Sequence, residues 1–156
     1  MQLLSTAHRI LDNNQDERLS RISHKDNRFT KWTMACTDNY MWLYRHAEAL
    51  AEVYESRNGK AHAGVEKRLH LLSEPPRAIP EWTFVYQDFQ ISDIDKDILD
   101  LNESVHVKYQ HYLNAKYKMW IETENKSCKN LIWTVDYPHW LDNSVKEFAE
   151  KLLEDN

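Results

Sequence analysis

The sequence predicts an all-α fold, an irregular helical bundle with two long central helices and long connecting loops, on three observations. Glycine occurs twice and proline four times, too little turn chemistry for the many short strands of a sandwich or barrel. Apolar residues recur at three- and four-residue spacing over 38–57 and 102–124, the period of an amphipathic helix. At 156 residues, 42% hydrophobic and 29% charged, the chain has the composition of a folded protein, and one helical domain over 1–156 buries a core without metal or disulfide staples.

Each element has its own signal. Leu3, Leu4, Ala7, Ile10 and Leu11 form a helical stripe that Asp12-Asn13-Asn14 stops. Residues 13–28 are polar and without period, which predicts an exposed loop, and a short helix is expected over 29–36. The strongest helix follows, with Thr37 or Asp38 as its N-cap and Tyr40, Leu43, Ala47, Leu50, Ala51 and Tyr54 as its buried stripe. Asn58-Gly59 is its stop, because glycine tolerates the left-handed residue that ends many helices. The stretch 62–73 reads as the next helix, with Val65, Leu69 and Leu72 inward and Pro75-Pro76 closing it.

The connection 75–101 carries Trp82, Phe84, Tyr86 and Phe89, whose alternation fits one short extended segment. A loop of that length is usually functional or pinned by its aromatics. Residues 102–124 form the second long helix and 144–153 a terminal amphipathic one, with Trp133, Tyr137, Pro138 and Trp140 as an aromatic clasp between them. The two long helices are expected to pack on each other and bury Tyr40, Leu43, Leu50, Tyr54, Tyr109 and Leu113, since each is apolar on one face and needs a partner to hide it.

Charge and cysteine usage restrict the function classes. Cys36 and Cys128 match no metal-ligand spacing and read as free thiols of a reducing compartment. The chain has neither an apolar run long enough to span a bilayer nor a cationic leader ahead of one, so the expected location is the cytoplasm, without membrane contact. The formal charge of −5 argues against a general nucleic-acid coat. Residues 1–70 nevertheless hold 11 Lys and Arg against 9 Asp and Glu, and residues 71–156 hold 9 against 16, so a polyanion should meet the first half or a local patch.

Several constellations have the residue types of chemistry. His62, Glu66 and His70 fall at i, i+4 and i+8 of one predicted helix. Eight residues of helix span about 12 Å and zinc ligands lie within about 2.3 Å of one ion, so the three read as a solvated polar face and no metal is assigned. Glu48, Glu52 and Glu55 beside Arg45 and His46 read as exposed helix neighbours rather than as an acid–base pair. No phosphate-cradling glycine loop and no nucleophile elbow is present, and no cofactor is implied. The segment from Lys108 to Trp120 interleaves Lys108, His111, Lys116 and Lys118 with Tyr109, Tyr112, Tyr117 and Trp120, cations for phosphates and aromatic faces for bases. Arg57 and Lys60 flank Gly59, and His62 opens the next helix, a corner that could seat a phosphate on helix-start amides. The same two cations would equally complement the dipole of the helix they end.

Three pieces carry a resemblance: Gln2-Leu3-Leu4-Ser5-Thr6-Ala7-His8-Arg9, then Trp32 followed by Asn39-Tyr40-Met41-Trp42-Leu43, then the run from Glu52 to His62 containing Tyr54, Arg57, Gly59 and Lys60. With Pro76, Ile79-Pro80 and Tyr109, Tyr112 and Lys116 in the same order, residues 1–120 resemble a family of phage proteins, the pyrimidine dimer DNA glycosylases of the endonuclease V type. In that type the N-terminal amine attacks the sugar carbon of the damaged nucleotide and a glutamate in the first helix assists elimination. Met1 aligns inside the family's first helix, so neither group has a counterpart and no catalytic residue is assigned. The expectation is a chain lacking upstream residues or an inactive member.

The resemblance implies a DNA-repair or DNA-modification protein, with DNA as partner and Asn39, Arg45, Arg57, Lys60, His62, Lys108 and Lys116 as contacts. The alternative is a non-catalytic helical binding protein, a phage accessory factor that engages a host protein; a DNA shift assay that responds to salt separates the two.

Overall fold

A computed structural model describes residues 1–81, 98, 101–133 and 136–154. Of the described residues 64% are helical, in six α-helices and short 3₁₀ turns, with no strand among them, which is the all-α class that the scarcity of glycine predicts. Where length suggests one domain, contacts group the chain into two compact units, Met1–Gln87 and Asp88–Asn156. Trp82, Phe84, Tyr86 and Phe89, with their expected extended segment, lie outside the described residues.

The first unit is built on α1 (Gln2–Leu11), α2 (Arg28–Ala35), α3 (Thr37–Asn58) and α4 (Ala63–Arg68). Its core joins Leu4, Ala7, Leu19, Tyr40, Tyr44, Leu72 and Ile79. Helix α1 buries Leu4, Ser5, Thr6, Ala7 and His8 rather than the expected purely apolar stripe, while Ile10 is exposed. It packs against both α2 and α3, so two of its sides are covered and polar side chains go in with the apolar ones.

The polar stretch after α1 is not a plain exposed loop. The Arg9 guanidinium donates to the carbonyls of Ser20 at 2.7 Å, Asp16 and Leu19 at 3.0 Å and Asn14 at 3.2 Å. That fork of fixed donors gathers the loop and carries Leu19 into the core. The Asp12 carboxylate then accepts the backbone N–H groups of Arg77 at 2.9 Å and Ala78 at 3.0 Å, tying the end of α1 to a segment 65 residues away.

Helix α3 ends as expected, with Gly59 at φ 65° and its N–H bonded to the Glu55 carbonyl. It begins differently. Its N-cap is the buried, extended Cys36, which makes no side-chain cap bond, and Thr37 and Asp38 lie inside the first turn. There Asp38 still complements the positive end of the dipole. The expected buried stripe holds only in the first half: Tyr40 is fully buried, whereas Leu50 is 57% and Tyr54 36% exposed. The reason is length. Twenty-two residues of α3 extend about 33 Å, and the ten of α1 and eight of α2 reach about 15 Å and 12 Å.

The helix expected over 62–73 is broken. Six residues of α4 give way to a 3₁₀ turn, Leu69–Leu72, which delivers Leu72 to the core, where the Tyr40 hydroxyl donates to its carbonyl at 2.9 Å. In the second unit α5 spans Val105–Glu122, later than 102 because Ser104 caps it, and α6 spans Asn143–Glu154. A 3₁₀ turn, Lys126–Asn130, lies between them. Helices α5 and α6 pack together around Leu131, Leu141, Val145 and Ala149. No residue of α5 is fully buried, so Tyr109 and Leu113 are half-buried rather than core. Helix α3 belongs to the first unit and α5 to the second.

Candidate nucleic-acid interface

The residues singled out for nucleic acid divide between the units. In the first, Asn39 is fully buried and its side-chain amide donates to the Trp32 carbonyl at 2.8 Å, which makes it a joint between α2 and α3 rather than an outward contact. Arg45 stands exposed on α3. Arg57, Lys60 and His62 are exposed around the turn that Gly59 makes.

The phosphate seat expected on the amides of that turn is filled from within. His62 caps α4, its Nδ1 accepting the Gly64 N–H at 3.0 Å, while its carbonyl accepts Val65 N–H at 2.7 Å and Glu66 N–H at 3.2 Å. Its ring also stands edge-on to Tyr54, with centroids 5.0 Å apart. What the corner offers an anion is therefore the side chains of Arg57 and Lys60, not backbone. Among the described residues, no group of three or more His, Cys, Asp or Glu side chains is placed to hold a metal ion.

In the second unit α5 carries the cation-and-aromatic segment. The Lys116 ammonium lies 5.6 Å from the Tyr112 ring centroid and 5.2 Å from that of Trp120, on the same helix face at i−4 and i+4. Lys118 pairs instead with Asp142 at 2.6 Å. That ion pair, with Ser144 N–H and Oγ donating to the other Asp142 oxygen, holds the carboxyl down at about 2.

Beside the pair opens a cleft of about 630 Å³, walled by His111, Asn114, Lys118 and Trp140 with Ile98 and Leu101 supplying apolar surface. Asn114 closes one side, donating to the Trp140 carbonyl and accepting the Asp142 N–H, both at 2.9 Å. The sequence pattern groups Lys118 with the cations for phosphates and assigns Asn114 and Asp142 no role. The spacing of His111, Asn114, Ala115 and Lys118 on one helix face is the available signal; their partner is the turn around Trp140, which lies 26 residues beyond Asn114. The clasp itself is present, with Trp133 edge-on to both Tyr117 at 6.1 Å and Tyr137 at 5.5 Å.

No family model, characterised protein or solved structure matches this chain. Function must be argued from the side chains themselves. A buried polar constellation in the first unit is structural. His8 Nε2 lies 2.8 Å from the Tyr40 hydroxyl, which gives its own proton to the Leu72 carbonyl. The hydroxyl thus links the His8 ring to the Leu72 carbonyl. Burial lowers the His8 pKa, opposed by Asp12 and the Glu74 backbone, and burial raises that of Tyr40. Among the described residues no helix is long and apolar enough to cross a membrane.

Proposed function

We propose that the chain is a DNA-binding protein of the phage repair or modification type, resembling the pyrimidine dimer DNA glycosylases, and that it binds through α5 without cleaving. The observation that carries the reading is the setting of Lys116. An ammonium held between the faces of Tyr112 and Trp120 is positioned without an ion-pair partner among the described residues, unlike Lys118 beside Asp142, so its charge is available to a phosphate. Lys108 and His111 lie on the preceding turns, and Glu122 is the one acid on the helix, a local cationic stripe in a half of the chain that is acidic overall. The half-buried aromatics around it have faces on which unstacked bases can lie.

The test is a mobility-shift titration of single-stranded and duplex DNA between about 50 and 200 mM salt. Binding is expected to weaken as salt rises, and the double variant Lys108→Ala with Lys116→Ala should reduce the logarithmic salt slope on single strands by about 1.4. If Arg57→Ala with Lys60→Ala abolishes binding and the α5 variant does not, the contact lies at the α3–α4 corner. No shift at the lowest salt overturns the reading and favours the protein-binding alternative.

A further inference from the structure

Helix α3 carries apolar residues on two faces. One, carrying Tyr40 and Tyr44, is buried in the first unit. The other carries Trp42, His46, Ala49, Val53 and Ser56, all exposed. Their spacing alternates four and three residues, the repeat of a coiled-coil seam. Trp42 and His46 stack with centroids 5.2 Å apart and planes 11° from parallel, and Trp32 meets Trp42 edge-on at 5.7 Å, so the seam begins on a broad aromatic platform. Leu50, 57% exposed, and Arg57 flank it on one side. On the other side stand Arg45 and Glu52, seven residues apart, both exposed and neither in an ion pair among the described residues.

We propose that two copies of the chain pair through this face of α3, antiparallel about a two-fold axis. The residue types fit that arrangement from both directions. In antiparallel register the seam positions meet large against small, Trp42 against Val53 of the second copy and His46 against Ala49 of the second copy, which is how knobs fill holes without voids. The flanking charges then meet as opposites twice over, Arg45 of each copy beside Glu52 of the other. A parallel pair would set Trp42 on Trp42 and His46 on His46, and would place Arg45 against Leu50. From Trp42 to Ser56 the seam is about 21 Å long, so the association belongs to the modest, reversible class rather than the obligate one. It is independent of the DNA reading and is measured with no nucleic acid present.

Sedimentation equilibrium of the full chain up to about 0.1 mM, a range that reveals micromolar association, is expected to approach twice the 18.7 kDa chain mass. Ala49→Glu and Val53→Glu, each on the exposed face, should return the mass to one chain while the circular dichroism melt stays in place. Arg45→Glu and Glu52→Arg should each weaken the pair by about tenfold, and the two together should restore it, because the swapped charges face each other again only in the antiparallel register. A single-chain mass for the unaltered protein at the highest concentration overturns the proposal, as does a dimer indifferent to Ala49→Glu and Val53→Glu, or a double swap that fails to recover.

Discussion

The Tyr40 hydroxyl makes two bonds with one oxygen, one with His8 Nε2 and one to the Leu72 carbonyl, and it joins three segments of the first unit in doing so. Tyr40→Phe keeps the ring and removes the link, leaving two buried polar groups unpaired. The expected loss is about 1–3 kcal/mol in a urea unfolding titration, with little change in the slope of that titration because the ring still packs. His8 makes the same unit sensitive to pH. Its pKa is lowered on folding, so below its ordinary value near 6.5 the unfolded chain takes up the proton first, and stability falls as pH drops through that value toward the folded one. Melting temperature is expected to decline between about pH 7 and 5, and His8→Gln should flatten that decline; an unchanged profile in the variant would show that His8 does not set it. None of this was legible from the sequence. His8 stands in the resemblance motif and Tyr40 in the predicted stripe, but 32 residues separate them, and no local pattern pairs them.

At the scale of elements, termini set by local chemistry were legible and those set by tertiary contact were not. Gly59 stops α3 in the left-handed region at φ 65°, and a side chain there would meet no atom within 4 Å. Gly59→Ala is therefore expected to cost only the backbone strain, about 1 kcal/mol by chemical denaturation; a loss several times larger would mean that the glycine also serves close packing. The start of α3 escaped the capping rules because Cys36 is held extended and buried, with Thr37 N–H bonded to the Pro80 carbonyl at 3.1 Å. The break after α4 escaped them too, since the stretch 62–73 has unbroken helical periodicity and what tightens its end is the demand that Leu72 reach Tyr40. Helices α2 and α6, bounded by their own polar caps and turns, lie within two residues of expectation.

For the whole molecule the sharpest expectation concerns chemistry. Burial lowers the pKa of the Met1 amine, and among the described residues no carboxylate contributes to that shift. The chain is thus expected to release no base from dimer-containing duplex and to nick no abasic site even under conditions where it shifts DNA; cleavage that disappears when the Met1 amine is blocked would show a carboxylate recruited from elsewhere. What the sequence by itself determined is the helical class, the extent of α3 and its glycine stop, the charge asymmetry and the clustering of cations with aromatics around Lys116. These follow from composition and from patterns a few residues long, where backbone geometry alone sets which side chains are neighbours. Only the tertiary structure decided which of the candidate residues face outward. Asn39 is turned inward to the Trp32 carbonyl, His62 is occupied by the Gly64 amide, Lys118 by Asp142, and Leu50 is left in the open. These three polar side chains are taken up by partners that folding brings into reach, and a chain of short helices covers only part of a long one, so exposure follows from the lengths and positions of the neighbours rather than from the residue's own pattern.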